Sequence, residues 1–290
     1  MLDSRSVYKA RIDAVIMYMH DHLPEKMVLN DLASTAGFSD FHFHRLFSAL
    51  IGETPQQFLN RIRLERAANM LAKYSGYSIT QIAISCGFSS SSAFARSFKN
   101  HFGLSAHEYR KTETRPAMPD VQREKFFPNQ ADQIKVEIRN VPTWNLIYVS
   151  ILKGYKIDLI CKGWNQLFKW ATAHDLISKD TSVLGISFDD PLITPADKCR
   201  YYACLSVPDE IQPQPPIGFM QLAGSKCVTV RVNCAIDEIQ GIYMYLYREW
   251  LIDSGFQPAD LPPYEIYYST PETNQEGKYD MEIFIPIVPL

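Results

Sequence analysis

The spacing of apolar residues changes once along the chain. Before about residue 112, apolar positions recur every three or four residues, as in Phe43, Phe47 and Leu50, which is typical of amphipathic helices. Beyond about residue 133, alternating runs such as VTVRV and MEIFIPI predict strands, with two amphipathic helices among them. Residues 113–133 contain three prolines and no sustained period, which is typical of a linker. The pattern predicts a multi-domain protein, with an all-α domain at 1–112 and an α+β domain at 134–290.

Helix start signals punctuate the first domain. Each combines a hydroxyl residue with a glutamine or glutamate three positions later, and this pattern predicts a capping box. Thr54 is also followed by a proline, which favours the first turn of a helix, so a long helix is expected from about Thr54 to Lys73. The three predicted boxes are Thr54 with Gln57, Ser78 with Gln81, and Ser105 with Glu108.

Two segments of the first domain repeat one frame. AGFSDFHFHRLFSALIGETPQQF begins at residue 36 and CGFSSSSAFARSFKNHFGLSAHEYR at residue 86, and both run Gly-Phe-Ser, then Arg-x-Phe, then Gly. In the first segment Gly37 is expected to end one helix and Ser39 to cap the next. The repeat therefore predicts two helix-turn-helix units on one chain.

The second helix of each unit is expected to enter a major groove of DNA. Its phenylalanines face the core, and its outward face carries an arginine, which can make paired hydrogen bonds to guanine or contact a phosphate. Two such helices joined by one long helix can enter adjacent grooves of one DNA face. The alternative to DNA binding is a helical bundle in which the exposed arginine and lysine side chains are only solvated. The predicted outward residues are Phe41, His44 and Arg45 in the first unit and Ser92, Arg96 and Lys99 in the second.

Other polar residues of this domain carry weaker predictions. Arg61, Arg63 and Arg66 on the long helix, like Lys99, are candidates to neutralise phosphates. His42 and His44 flank a core phenylalanine and do not converge on one helical face, so no metal site is predicted there.

These motifs resemble the DNA-binding domain of the AraC/XylS family of bacterial transcription regulators. The resemblance covers residues 8–112, with the family signature in residues 32–71 and 79–110. It implies two helix-turn-helix units that bind operator DNA, with base contacts from Phe41, His44 and Arg45 and from Ser91, Ser92 and Arg96. The second helix carries SSSSA where many relatives have longer polar side chains, so its role is expected to be mainly backbone contact.

The second domain contains an internal repeat of 80 residues. Trp170 corresponds to Trp250, and IYVSIL at 147–152 corresponds to CVTVRV at 227–232. Each copy is predicted as strand, helix, strand, strand, and two copies would form a pseudo-twofold β-α-β-β module with a groove where they meet.

Glu265 is the main candidate for a ligand site in this module. It stands where the first copy has Gly185, and it alternates with Tyr267 along one strand. A carboxylate beside aromatic rings can receive an organic cation. Trp144, Tyr148 and Trp164 are the predicted companions. Glu282 is the alternative acid, and Glu265 as a solvated or arginine-paired residue is the alternative interpretation.

The second domain resembles the GyrI-like, or effector-binding, domain that follows the DNA reader in regulators of Rob-like architecture and occurs in multidrug-sensing regulators of the MerR family. The matching stretches include WNQLFKWA, REWLIDSGF and MEIFIPI within residues 134–290. The resemblance implies a small-molecule effector domain in which a glutamate at this place receives the cation. Asn233-Cys234-Ala235 stands where relatives often have a His-x-Gly loop.

The composition is that of a globular protein, and the charge differs between the two halves of the chain. Of the 290 residues, 46% are hydrophobic and 21% charged, as in globular proteins. Residues 1–113 carry 13 basic against 10 acidic residues and the remainder 16 against 22, so the two domains are expected to have different partners. The six cysteines form no C-x-x-C pair, which predicts reduced, mostly buried thiols and no metal or cofactor. The sequence has no signal-peptide pattern and no apolar run long enough to span a bilayer. A cytoplasmic protein is therefore expected.

The sequence thus predicts a sequence-specific DNA-binding transcriptional regulator with a lipophilic or cationic small-molecule effector, and with RNA polymerase as a further candidate partner. One alternative is a GyrI-like hydrolase, in which Glu265 would share a water with Tyr148 or Tyr267. The other is a regulator that binds a partner protein through its acidic domain and needs no ligand.

Overall fold

The computed structural model describes residues 4–74, 76–111, 134–191 and 193–290. The chain divides into two compact units, one formed mainly by the helices before residue 112 and the other mainly by an antiparallel sheet with its helices. The predicted class, an all-α domain followed by an α+β domain, is confirmed. The predicted linker at 113–133 lies outside the described residues.

The helical unit has its helix starts where the sequence predicts them. All three capping boxes form, and in the box before α4 the Gln57 amide nitrogen donates to Thr54 Oγ1 over 3.2 Å while the Thr54 amide donates to Gln57 Oε1 over 2.9 Å. The helices are α1 Ser4–Asp21, α2 Leu29–Thr35, α3 Asp40–Ile51, α4 Pro55–Lys73, α5 Ile79–Ser85, α6 Ser91–Phe102 and α7 Ala106–Lys111.

The turns of the two helix-turn-helix units have the same backbone geometry. Gly37 and Gly87 both have positive φ, 66° and 83°, in the left-handed region that glycine adopts at little cost. A Cβ atom on Gly87 would also lie 2.5 Å from the backbone oxygen of Leu23. Ser39 occupies the N-cap position of α3, but its side chain makes no capping bond and instead contacts His42 Nδ1 over 3.2 Å. Ser39 therefore occupies the predicted N-cap position, but the predicted capping hydrogen bond does not form.

The sheet unit is built from nine antiparallel strands among the described residues. Their order is β1-β6-β9-β8-β3-β4-β2-β5, and β7 pairs with β9 off this path. The strands are β1 Val136–Val141, β2 Trp144–Ile151, β3 Val183–Ser187, β4 Tyr201–Ser206, β5 Gly218–Leu222, β6 Ser225–Cys234, β7 Phe256–Pro258, β8 Tyr264–Ser269 and β9 Tyr279–Pro289.

The 80-residue repeat is visible in this order. The first copy is β2, the helix α8 (Ile157–Ala173), β3 and β4. The second copy begins with β6, continues with a helical segment and ends with β8 and β9. The helical segment consists of α9 (Ile239–Tyr245), a π-helical turn (Leu246–Trp250) and α10 (Leu251–Asp253). The copies join where β3 pairs with β8. The repeat pattern does not include β1, β5 or β7. β1 precedes the first copy and pairs with β6 of the second, and β5 precedes the second copy and pairs with β2 of the first. β7 precedes β8 and pairs with β9.

Candidate ligand pocket and DNA interface

Glu265 lies in the middle of an apolar row that crosses the sheet. Directly paired residues of antiparallel strands share a face, so the register defines this row. Gly163 of α8 packs against Val149, which places the row on the face that the helices cover. The row consists of Val149, Ala203, Gly185, Glu265, Ile283 and Val230.

The two carboxylate oxygens of Glu265 have different surroundings. Glu265 is 4% exposed. Its Oε1 accepts a hydrogen bond of 2.6 Å from the hydroxyl of Tyr243 on α9. Its Oε2 is buried without a hydrogen-bond partner among the described residues, and Glu265 forms no ion pair with any of them. Burial of an acid with one unsatisfied oxygen is costly, and such sites call for a functional explanation.

The titration of this cluster follows from its burial. Desolvation raises the pKa of Glu265 from 4.5 to about 7, and the hydrogen bond from Tyr243 opposes the rise. Desolvation and the nearby carboxylate raise the pKa of Tyr243 and Tyr201 far above their ordinary value, and burial with Tyr201 as neighbour does the same for Tyr267. The three phenols are therefore neutral hydroxyl groups around an acid that titrates near neutrality.

A glycine opposite the acid makes room for one of these tyrosines. Gly185 pairs directly with Glu265, and a Cβ atom on Gly185 would lie 2.3 Å from the hydroxyl of Tyr201. That hydroxyl is 3.4 Å from the hydroxyl of Tyr267. The first copy has a glycine where the second has a glutamate. This difference brings Glu265 and the hydroxyls of Tyr201 and Tyr267 together at the junction of the copies, and we call these groups the polar cluster.

The aromatic ring of Trp164 lies next to this polar cluster. The ring centroid of Trp164 on α8 lies 6.5 Å from that of Tyr201 and 6.2 Å from that of Tyr267, both nearly edge to face. Trp164, Tyr267 and Tyr243 are half-buried, whereas Glu265 and Tyr201 are buried. A buried acid beside partly exposed aromatic rings is the combination of groups that lines many small-molecule sites.

Two of the predicted companions do not belong to this group. Tyr148 and Trp144 lie an even number of residues apart on β2, and the row that contains Tyr148 is on the opposite face of the sheet. There Tyr148 stacks on Tyr202, with ring centroids 4.9 Å apart. Trp144 and Tyr148 were predicted as companions of Glu265, but the pairing register places them on the other face of the sheet. The opposite row is Tyr148, Cys204, Leu184, Ile266, Glu282 and Arg231.

Glu282, the alternative acid, already has partners. It is buried on the opposite face, forms an ion pair with Arg139, and accepts a hydrogen bond of 3.0 Å from the hydroxyl of Tyr268. A buried carboxylate with a guanidinium partner is satisfied within the protein. The geometry therefore favours Glu265 as the acid that a ligand would meet.

Sequence reasoning missed two residues of the pocket. Tyr201 carried a signal, because a glycine in the middle of a strand often marks a close approach by another group, and Gly185 is such a glycine. Tyr243 is one of several aromatic residues in its part of the sequence, and nothing in the sequence singles it out. Its contact with Glu265 depends on how α9 packs on the sheet, which helical spacing does not show.

We call α3 and α6, the second helices of the two helix-turn-helix units, the reading helices. The first of them, α3, exposes the residues that were predicted to face outward. Phe43 and Phe47 are fully buried, while Phe41 is 64% exposed and His44 and Arg45 are exposed. The guanidinium carbon of Arg45 lies 5.0 Å from the centroid of the Phe41 ring. This cation–π contact holds the two side chains together on the outward face.

The second reading helix, α6, presents a different surface. Ser91, Ser92, Arg96 and Lys99 are all exposed. Part of the serine run serves the protein itself, because Ser90 Oγ accepts from the backbone nitrogen of Ala93 and lies 3.2 Å from Ser92 Oγ. Ser91 Oγ is 3.4 Å from Thr80 Oγ1. Arg96 and Lys99 remain the long polar side chains of this face.

Two arginines of the basic row on α4, Arg61 and Arg63, make contacts within the protein. Arg61 is 5% exposed and forms ion pairs with Glu53 at 2.6 Å and Glu65 at 3.1 Å. Arg63 Nε donates to the backbone oxygen of Leu23 over 3.0 Å, and its Nη2 donates to that of Glu25 over 2.5 Å. The prediction that these two arginines neutralise phosphates is wrong, because a sequence row of arginines does not show which face is buried.

Other chemistry is limited within the parts of the chain that the structure describes. Five of the six cysteines are buried, as predicted, whereas Cys161 is exposed, and all six are free thiols. In those same ranges no cluster of histidine, cysteine and acidic side chains is arranged to hold a metal ion. None of the helices there has the length and apolar character needed to span a membrane.

Comparison with known families agrees with this architecture. Residues 134–288 match the GyrI-like small molecule binding domain, and residues 32–112 match a helix-turn-helix domain family. The chain belongs to the GyrI-like family. In this member, a helix-turn-helix domain of the AraC type precedes the GyrI-like domain, and Glu265 lies within the matched region.

Two curated relatives each match about a third of the chain. The HTH-type transcriptional activator RhaS of Escherichia fergusonii is 37% identical over 102 residues, which is 35% of this chain and 36% of the relative. The probable transcriptional regulator LumQ of Photobacterium leiognathi is 31% identical over 109 residues, 38% of this chain and 44% of the relative. The chain thus spans less than half the length of these curated relatives.

Among solved structures, the EcmrR C-terminal domain is similar with 15% identity and a TM-score of 0.45, over 54% of this GyrI-like protein and 99% of that chain. The DNA-binding domain of AdpA, solved with a target DNA, has 33% identity and a TM-score of 0.33, over 34% of this chain and 89% of that chain.

Proposed function

We propose that the protein is a transcriptional regulator that binds operator DNA through α3 and α6 and binds a small lipophilic organic cation at Glu265. The observation that carries the ligand part is the unpartnered, buried Oε2 of Glu265 at the base of a half-exposed aromatic group. The GyrI-like family is described as small-molecule binding, which supports a ligand at this place.

A cation fits this site better than a neutral or anionic ligand. It would pair with the carboxylate, whereas an anion would be repelled by it. The faces of Trp164 and Tyr267 carry negative electrostatic potential, which attracts a cation within about 6 Å of the ring centroid. Apolar groups on the ligand would cover the rings and the apolar row, so a lipophilic cation uses both parts of the pocket.

The DNA part rests on the exposed faces of the two reading helices. Phe41, His44 and Arg45 are proposed to contact base edges, and Ser91, Ser92, Arg96 and Lys99 to contact bases or the backbone. The curated relatives are named as transcriptional regulators and match this part of the chain, which supports the proposal. Action in the cytoplasm belongs to the same proposal. RNA polymerase as a partner stays a prediction from the sequence.

The regulator is favoured over the hydrolase. Tyr148, one of the tyrosines that the hydrolase would need, lies on the opposite face of the sheet from Glu265. Tyr267 lies on the same face, but its hydroxyl contacts Tyr201, and Tyr243 is the tyrosine that donates to Glu265. The relatives named as regulators also support a sensor rather than an enzyme.

The DNA part is tested by selecting bound sequences from a random duplex library with the full-length protein. We expect an enriched motif with two elements about one helical turn apart, because two helices would enter adjacent major grooves. Recovery of unrelated sequences, with binding that salt abolishes equally for all of them, would show non-specific phosphate contact and contradict the proposal.

The ligand part is tested by thermal unfolding with a panel of aromatic quaternary ammonium ions. All four tryptophans lie beyond residue 143, so their fluorescence reports unfolding of the GyrI-like domain. A bound cation should raise the midpoint in a concentration-dependent way, whereas the neutral carbon isostere of each ion serves as the matched control. Equal shifts by ion and isostere would show an apolar site without a charge requirement.

A further inference from the structure

We propose that Glu265 holds a proton when the pocket is empty and releases it when an organic cation binds, so that the pocket exchanges a proton for its ligand. This inference rests on the proposed ligand site. It adds a regulatory property, since occupancy of the pocket would depend on pH as well as on ligand concentration.

The geometry identifies the oxygen that carries the proton. Oε1 is engaged by the hydroxyl of Tyr243 at 2.6 Å. Oε2 is buried and has no hydrogen-bond partner in the described parts of the chain, so a negative charge there has no compensation. Protonation removes that charge and is the usual response of a carboxyl group buried in apolar surroundings.

Among the residues that the structure describes, no cation faces Glu265. The sheet contributes Gly185 on one side of Glu265 and Ile283 on the other, and α8 contributes Trp164. The titratable groups that face the acid are all phenols with raised pKa values, so they stay neutral over the range in which the acid titrates. They are Tyr201 on β4, Tyr243 on α9 and Tyr267 on β8.

The second buried glutamate shows the contrast within one molecule. Glu282 has the guanidinium of Arg139 against it and a hydroxyl donor in Tyr268. The charge of Glu282 is therefore compensated within the protein, whereas Oε2 of Glu265 has no partner among the described residues. An organic cation in the pocket would supply for Glu265 what Arg139 supplies for Glu282.

The exchange is balanced without any redox step. The O–H bond at Oε2 breaks, the proton passes to water or a buffer base, and the electron pair stays on the carboxylate, which then faces the cation. The pKa of Glu265 near 7 puts this exchange in the physiological range. Below pH 7 the apparent Kd for a permanent cation should increase about tenfold per pH unit, and above pH 7 it should level off.

Infrared spectroscopy of the ligand-free, full-length protein tests the first half. The carbonyl stretch of a protonated carboxyl group is distinct from that of a carboxylate. We expect a band that titrates with a midpoint near pH 7 in the wild type and in Glu282→Gln, and that is missing in Glu265→Gln. If the wild type shows no such band at pH 6, Glu265 is ionised in the empty pocket and the inference is overturned, whatever binds there.

Calorimetry of the wild type tests the second half and needs no variant. Benzyltrimethylammonium is titrated at pH 6 in two buffers of different ionisation enthalpy, and at pH 8.5 as a control. Release of close to one proton per bound cation at pH 6, and of almost none at pH 8.5, is expected. Saturable binding without proton release would overturn the exchange while leaving the cation site intact. Absence of any saturable heat, with the infrared band unchanged by the probe, would overturn both the exchange and the proposed site.

Discussion

The two buried glutamates of the sheet show how much the immediate neighbours of a residue determine its chemistry. Glu265 and Glu282 are on adjacent strands and similarly buried. They point to opposite faces. Glu282 pairs with Arg139, whereas the contacts of Glu265 within the described parts of the chain are with phenols and apolar groups. The same residue type therefore forms an ion pair in one case and a titrating acid in the other.

Stability should reveal the titration of Glu265. Its pKa is raised by folding, so the folded state binds the proton more tightly than the unfolded state, and the stabilisation is full below pH 4.5 and lost as pH rises through about 7. From pH 4.5 to pH 8 the free energy of unfolding of the GyrI-like domain should fall by about 3 kcal/mol more in the wild type than in Glu265→Gln. Urea unfolding followed by tryptophan fluorescence measures this difference. Parallel pH profiles in the two proteins would contradict the raised pKa.

Gly185 offers a second test at the level of single atoms. Gly185→Ala places a methyl group against the buried ring of Tyr201, so we expect a loss of about 1–3 kcal/mol in the free energy of unfolding. The double variant with Tyr201→Phe removes the hydroxyl that the methyl group meets first, and it should lose less than the sum of the two single changes. Strict additivity in this cycle would show that the two side chains do not compete for the same space.

Arg45 should contribute base-specific binding. Arg45→Ala is expected to weaken binding to a selected operator by about 1–3 kcal/mol and to relax sequence preference at one position of the first half-site. Arg96→Ala is the matched change on α6, where a serine face surrounds the arginine, and it should weaken binding more evenly across sequences. Mobility-shift titrations on operator and random duplexes separate the two. Equal losses on both duplexes for Arg45→Ala would identify it as a phosphate contact.

At the scale of elements, the helix starts were predictable because their signals are local. A capping box spans four residues, and nothing distant is needed to complete it. Ser39 marks the limit of that reasoning, since it occupies the right position while its hydroxyl contacts His42 instead of the helix backbone. A cap position and a cap hydrogen bond are separate predictions.

This difference gives a matched pair of substitutions. Ser78→Ala removes a hydroxyl that accepts the Gln81 amide over 3.1 Å, and it should cost about 1 kcal/mol in the free energy of unfolding of the helical domain. Ser39→Ala removes a hydroxyl that caps nothing and should cost less than half as much. Chemical unfolding followed by far-ultraviolet circular dichroism compares them. A larger loss for Ser39→Ala would contradict the geometry of the two caps.

The strands were less predictable than the helices for a physical reason. Alternation marks a strand, but it does not say which neighbour the strand pairs with. The repeat of 80 residues identified the junction of the copies and the contrast between Gly185 and Glu265. It did not identify β1 and β5, which pair across the copies, and it did not exclude Trp144 and Tyr148 from the pocket, because facing depends on the parity of strand pairing.

At the scale of the whole molecule, two kinds of surface are carried by two compact units. The front part has a small excess of basic residues and two exposed reading helices, and the back part is acidic overall and holds the buried acid. If the cation changes the affinity of a regulator for its operator, operator DNA must change the affinity for the cation by the same factor. A regulator of this kind should therefore bind the cation with a different Kd when operator DNA is present.

The charge requirement at Glu265 is the central claim, and isothermal titration calorimetry tests it most directly. A cation from the panel that stabilises the wild type is titrated at pH 8 into the wild type, Glu265→Gln and the matched control Glu282→Gln. The proposal predicts saturable binding at a single site in the wild type and in Glu282→Gln, and at least a tenfold weaker affinity in Glu265→Gln, about 1.4 kcal/mol or more. Wild-type affinity in Glu265→Gln would contradict it.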